Sequence, residues 1–446
     1  MAAAVFLKDN NYSVLVFEKE TNIGGHCNTY YFTPPKEGDV NFVDLGVQEF
    51  QDTDFDNAAG LGTWTLSSKA FVERFAKSGI VPFNITAQNA PTYGMDLNHG
   101  IPLGPNPLPV LPPGPDFAAA SEALFGYLSQ YPWLNTADIP EQVPEDMLIP
   151  FSDFIAKYNL TALTDAFFIP ILFHGGLGDF SKLTSLYALL NLSPSILALF
   201  NPQTSSAAGF SAAEGCADLY SGIEEYLGKE NVIRNANTFR VNRDEDGKVT
   251  MMVKIDGAIA VGVTCSSLII AFPETLESLR FMDLDYAEFE VFKHVATRNY
   301  YDFAANVSGP LADQPFNFAN VNVESSSSLP TSPSVIGAGR SLPYGPIAGL
   351  AFADHDVCFD EMETIIKAQM AEVPPYLFTA VVLVANKHVF QPHFNAQAIK
   401  DGVYNALTAL QGHKHTYWLS ALVGYADSTV LWQKAYTLVQ TYFPKK

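Results

Sequence analysis

Ser13-Val14-Leu15-Val16-Phe17-Glu18, followed six residues later by Gly24-Gly25-His26, is the stretch on which the reading of the fold turns. A β-branched, apolar run ending in an acidic residue has the pattern of the second strand of a mononucleotide-binding βαβ unit. Its carboxylate accepts a hydrogen bond from a ribose hydroxyl. Glu18 stands at that place, after an Ala-rich helical stretch, Met1 to Leu7, that stops at Asp9-Asn10-Asn11. In such a unit a first strand and a Gly-rich turn precede the helix, and this reading places Met1 just after them. Gly24 and Gly25 let backbone N–H groups approach a pyrophosphate where a Cβ would clash. An ordinary helix-turn-strand with a surface Glu fits the same half-motif, so the rest of the chain has to decide.

Two further stretches do so. Gly24-Gly25-His26-Cys27-Asn28-Thr29-Tyr30 is followed by Asp44-Leu45-Gly46-Val47, and near the C-terminus stand Gln411-Gly412 and Thr416-Tyr417-Trp418. In this order they resemble the flavin-dependent amine-oxidase superfamily, closest to the fungal β-cyclopiazonate dehydrogenase family. The resemblance implies an α/β fold in which a Rossmann-like FAD-binding domain is interleaved with an α+β substrate domain. It implies FAD as cofactor, with Glu18 on the adenosine ribose, Gly24, Gly25 and His26 at the pyrophosphate or ring, and Thr238 at the adenine. Tyr417 and Trp418 would cross the flavin ring, and a helix beginning just after them would point its N-terminus at the ring's carbonyl edge. The family's Arg after the two glycines is His26 here, and its small Gly after the aromatic element is Ser420.

The composition fits a large enzyme. The chain has 446 residues, enough for two domains, and 48% hydrophobic with 13% aromatic content supplies large cores. A formal net charge of −22 argues against nucleic acid and anionic membrane surfaces as partners. The uncharged, largely apolar stretch Leu183 to Phe200 contains Pro194 and reads as a buried helix and turn, not a membrane span. Four widely spaced cysteines form no CxxC pair, which speaks against zinc sites and small disulfide frameworks and leaves the redox compartment open. Sequons at Asn11, Asn84, Asn159, Asn191 and Asn306 permit a secretory, glycosylated protein if a signal peptide lies upstream of Met1; otherwise the expected compartment is cytoplasmic.

The expected domain plan assigns residues 1–80, 206–275 and 395–446 to the FAD-binding domain and 81–205 and 276–394 to the substrate domain. Helical spacing covers Phe117 to Tyr131 and Phe151 to Phe168, and Cys216 to Leu227 is amphipathic with Leu219, Ile223 and Leu227 on one face. Strands are expected at Val232-Ile233, Phe239 to Val241 and Val249 to Lys254, with a turn at Asp244 to Gly247. Leu268 to Ala271 fits a buried parallel strand. Pro-rich Ile101 to Asp116 and Ser325 to Ser328 read as loops.

Other motifs are set aside. Val335 to Arg340 imitates a nucleotide fingerprint, but Pro343 and Pro346 forbid the helix that must follow. Gly209 to Ala213 lacks the last glycine of a nucleophile elbow, and His413 and His415 have no third metal ligand nearby. Tyr300 and Tyr301, on an expected strand, are candidates for the pocket wall. No general base is legible. The expected reaction is hydride removal from a C–H bond of a hydrophobic small molecule, ending in desaturation or oxidative cyclisation, with dioxygen or another acceptor reoxidising the cofactor. A relative without redox activity and a double-bond isomerase remain open.

Overall fold

The computed structural model describes residues 1–83, 90–108, 114–243, 247–325 and 328–446. Its opening is the helix Ala2–Asp9, held by Val5 and Phe6 against helices Ser68–Phe75, Cys216–Leu227 and Ser428–Tyr442 in one apolar core. The strand that follows is shorter than its sequence run. Only Val16–Phe17 pairs, parallel to Val232–Ile233, and Ser13 to Leu15 find no ladder partner among the described residues. Leu268–Ile270 and Thr416–Trp418 form a second parallel pair, and an antiparallel meander joins Ala236–Arg243, Val249–Ile255 and Ile259–Cys265. The chain therefore has the α/β class expected of it, with short parallel pairs built from segments far apart in sequence.

Among the described residues the largest sheet has seven strands, in the order Thr379–Phe394, Val295–Ser308, Ile347–Ala353, Ser334–Arg340, Phe316–Asn320, Thr92–Asp96 and Ile101–Pro102. Helix Phe359–Ala371 covers one face through Met362, Ile366 and Met370, one turn apart. Phe173 and Leu177 pack on the other face, beside Tyr300, Phe352 and Phe390. Because alternate side chains of a strand point to opposite faces, Tyr300 and Tyr301 enter different cores. The fingerprint-like Val335 to Arg340 is a strand of this sheet, paired on both sides.

The helices agree with their spacing except where a special residue ends them. Phe117–Leu128 and Cys216–Leu227 form as expected. The stretch Phe151 to Phe168 is interrupted: its helix stops at Lys157, and Asn159 adopts a left-handed φ of 56° of the kind that closes helices. A wide π-type helix, Thr164–Leu177, follows. Leu183 to Phe200 splits into Ser185–Leu190 and Pro194–Leu199, with Pro194 in the first turn, where its missing N–H costs no bond. No helix of the described residues is long and apolar enough to cross a membrane.

Cys27 and Cys216, 189 residues apart, are joined by a disulfide. Spacing carries no information about such a pair, because folding alone brings the Gly-Gly turn against the start of helix Cys216–Leu227. Asp244 to Asp246 of the expected hairpin turn, Asn84, and parts of the two expected loops lie outside the described residues.

Candidate functional site

The site grows from the Gly24-Gly25 turn. Both glycines have positive φ, 113° and 61°, and Cys27 N–H donates to Gly24 O at 3.2 Å to close the turn. A Cβ on Gly24 would lie 3.0 Å from the Tyr220 ring, whereas one on Gly25 would meet nothing within 4 Å. The turn's outer backbone thus faces open space. Beyond it the chain is zipped to the next segment, Leu45 N–H donating to Asn28 O (2.8 Å) and Val47 N–H to His26 O (3.1 Å).

This zipping delivers His26 to the large sheet. Its ring stands edge-on to His388, centroids 4.5 Å apart, and 5.4 Å from Phe390. Tyr300 completes the aromatic wall, 5.2 Å from Phe390 and 6.0 Å from His388. Behind His388 stands Asp302, fully buried on the neighbouring strand in direct register with Asn386. His388 Nε2 lies 2.8 Å from Asp302 Oδ2, and Asn386 Nδ2 donates to Asp302 Oδ1 at 2.6 Å. The Asn28 amide stands 3.3 Å from the same histidine nitrogen.

The electrostatics are those of side chains drawn out of water. Burial, and then the neighbouring His388, push the His26 pKa down to about 3. Burial drives Glu49 up to about 7, and Asp427 and Asp44 add to the rise. Asp427 is raised by burial too; it caps helix Ser428–Tyr442 by accepting from Val430 N–H, and it accepts from Gln51 Nε2 at 3.0 Å. Burial also lowers His174 to about 4. Buried Gln51 Oε1, Gln391 Nε2 and Trp418 Nε1 have no hydrogen-bond partner among the described residues. Among the described residues no group of acidic, His or Cys side chains could hold a metal ion.

The residues expected at a cofactor fall into three groups. Gly24, Gly25 and His26 lie at the recess itself. Glu18 ends its strand half-buried; its Oε1 accepts from Glu20 N–H (2.9 Å) and its carbonyl from Ala236 N–H (2.8 Å), which brings the strand bearing Thr238 alongside. Tyr417 and Trp418 are engaged elsewhere: Tyr417 packs between Tyr442 and Phe443, and Trp418, fully buried, lies 4.4 Å from Phe292. The helix expected just after them starts only at Ser428, beyond the turn Ala421–Val423. Tyr300 faces His388, whereas Tyr301, on the opposite face, donates to Val357 O at 3.0 Å inside the second core.

Sequence reasoning missed Asp302, His388, Glu49 and Asp427. Glu49, Asp427 and His388 stand among other polar residues and gave no signal; Asp302 within Tyr300-Tyr301-Asp302-Phe303 carried one, a carboxylate in a strand otherwise fit for a core.

The turn that opens outward and the buried Gln391 Nε2 offer donors that fit a dinucleotide diphosphate, and the Gln51 Oε1 an acceptor that fits its sugar hydroxyls. Glu18 and Thr238 would hold the adenosine end. Fold and site together define a nucleotide-cofactor protein whose cofactor turn faces an aromatic sheet. The comparisons agree. The family model of the NAD(P)-binding Rossmann-like domain matches residues 1–61. The chain is 32% identical to uncharacterized protein R656 of Acanthamoeba polyphaga mimivirus, over 100% of this chain and 92% of that protein. It is 26% identical to the FAD-dependent oxidoreductase dpchF of Colletotrichum higginsianum and 27% identical to β-cyclopiazonate dehydrogenase of Aspergillus flavus, in both cases over 96% of this chain and 88% of the relative. The crystal structure of a CLA-producing fatty acid isomerase from P. acnes has the same fold, with a TM-score of 0.73 at 18% identity over 99% of this chain and 96% of the other. The chain belongs to the flavin-dependent amine-oxidase superfamily. FAD, the expected cofactor, is the one the named oxidoreductase relatives depend on.

Proposed function

We propose that this chain binds FAD across the Gly24-Gly25 turn and removes a hydride from a C–H bond of a hydrophobic small molecule held against Tyr300 and Phe390. The observation that carries the reading is the meeting of the cofactor turn with the aromatic face of the large sheet through His26. Bound FAD supplies the two-electron acceptor. The chain's own residues do the rest. Tyr300 and Phe390 exclude water and align the substrate, and His26 keeps a cation away from the reacting carbon by staying neutral. Desaturation or ring closure of a secondary metabolite is the reaction class that the fungal relatives support, with dioxygen or another acceptor taking the electrons. The Cys27–Cys216 disulfide and the exposed sequon residues Asn11, Asn159 and Asn306 support an oxidising, secretory compartment.

The test is the visible spectrum of the purified protein, incubated with FAD and desalted. A retained flavin band that bleaches anaerobically with a substrate and returns in air supports the reading; a colourless protein rejects it. Product analysis under oxygen separates oxidation from double-bond isomerisation, which leaves the substrate's mass unchanged.

A further inference from the structure

His388 and Asp302 make a second component of the site, one that hydride removal alone does not require. Asp302 is 0% exposed, and both of its oxygens are engaged, one by Asn386 Nδ2 and one by His388 Nε2. A carboxylate fixed in this way holds the imidazole with Nε2 as donor, leaving Nδ1 with its lone pair. Nδ1 has no hydrogen-bond partner among the described residues, and His388 keeps 9% of its surface open to solvent. The titratable groups around it are Asp302 on the adjacent strand, His26 from the turn, Tyr300 beside it and Glu49 beyond Tyr300. His26 is held neutral through the physiological range by burial and by the neighbouring His388. Tyr300, raised by burial and by Asp302 and Glu49, stays a neutral phenol.

We propose that His388, oriented by Asp302, is the proton acceptor of this site, and that its substrates carry an O–H or N–H on the carbon that loses hydride. The inference rests on the flavin reading above and narrows it. In the step, the C–H bond breaks and its electron pair leaves with the hydrogen to the bound FAD. The heteroatom–hydrogen bond breaks as well; its proton goes to His388 Nδ1 and its electron pair forms the new C=O or C=N bond. The substrate is oxidised by two electrons and the FAD reduced by two, and water later takes the proton from His388. Asp302 acts through His388 and is a positioning residue.

The experiment titrates the FAD-loaded full chain with 4-nitrophenol, whose ionisation is visible, at a pH below the phenol's own pKa. The wild type is expected to bind it as the yellow phenolate, lowering its apparent pKa by about one unit or more. His388→Gln should bind it as the neutral phenol, and Asp302→Asn should lose most of the shift while keeping its FAD. An unshifted or unbound phenol in the wild type, or an equal shift in His388→Gln, overturns the proposal. If the protein takes up no FAD, the flavin reading fails separately, and histidine NMR of the flavin-free wild type then decides. A strongly deshielded Nε2 proton, lost in Asp302→Asn, upholds the proton-accepting pair; its absence from the wild type overturns it.

Discussion

Glu274 shows what a single residue can do to the pH behaviour of this protein. It is fully buried; Ser420 Oγ donates to its Oε2, and its Oε1 has no partner among the described residues. Burial outweighs the Ser420 hydrogen bond and raises the carboxyl from 4.5 to about 8. Between those values the folded protein keeps a proton that the unfolded chain has released, so stability is full below pH 4.5 and is lost as the pH rises through about 8. Glu274→Gln preserves the shape and removes the titration. At pH 8 its melting temperature should exceed that of the wild type by a few degrees, and the gap should close at pH 5. A gap of equal size at both values would show that packing, not ionisation, sets the difference. Ser420 was legible as a departure from the family's glycine. Its partner, 146 positions earlier, was not, because only the adjacent parallel strands bring the two together.

At the scale of elements, the segment Asp44 to Phe50 fixes the Gly24–Cys27 turn. A Cβ on Gly46 would lie 2.0 Å from His26 O and 3.6 Å from Asp302 Oδ2, so any side chain there pushes the turn off the sheet. Gly46→Ala should cost about 1–3 kcal/mol in urea unfolding and weaken FAD retention. Gly25→Ala, whose Cβ would point into open space, carries only the strain of a left-handed residue, about 1–2 kcal/mol. Both variants should release flavin faster on dilution, Gly25→Ala because its Cβ stands where the cofactor approaches the turn; the imidazole NMR signals of His26 and His388 separate them, since only Gly46→Ala displaces His26 from His388. The helix Cys216–Leu227 and the meander strands follow their hydrophobic period closely. The Phe151 to Phe168 helix does not, because a left-handed Asn159 overrides the spacing.

Across the whole molecule, the Cys27–Cys216 disulfide ties the turn to a helix 189 residues away. The same junction is held by Asp44, which accepts from Cys216 N–H at 2.9 Å, and by Thr29 Oγ1, which accepts from Ala217 N–H at 2.9 Å. Breaking the disulfide enlarges the unfolded ensemble, so Cys27→Ser or reduction should lower stability by about 2–5 kcal/mol. Urea denaturation with and without dithiothreitol checks this, and an unchanged midpoint would mean that the polar contacts suffice. Asp44 is raised to about 6, chiefly by burial, so its contribution to the stability of the folded chain is full below pH 3.8 and is lost as the pH rises through about 6.

The sequence by itself determined the class of fold, the order of the helices and strands, and the glycine turn with His26, because periodicity and backbone freedom are local properties written residue by residue. Val335 to Arg340 could be set aside on the same ground, since the prolines after it forbid a helix. Tertiary structure alone decided which polar residues meet. It joined Asp302 to His388 across two strands, sent Tyr301 to the far face, turned the Tyr417 and Trp418 rings into packing, and paired Cys27 with Cys216. Burial and contact between distant segments are created only by folding, and they turn ordinary carboxylates and imidazoles into a site.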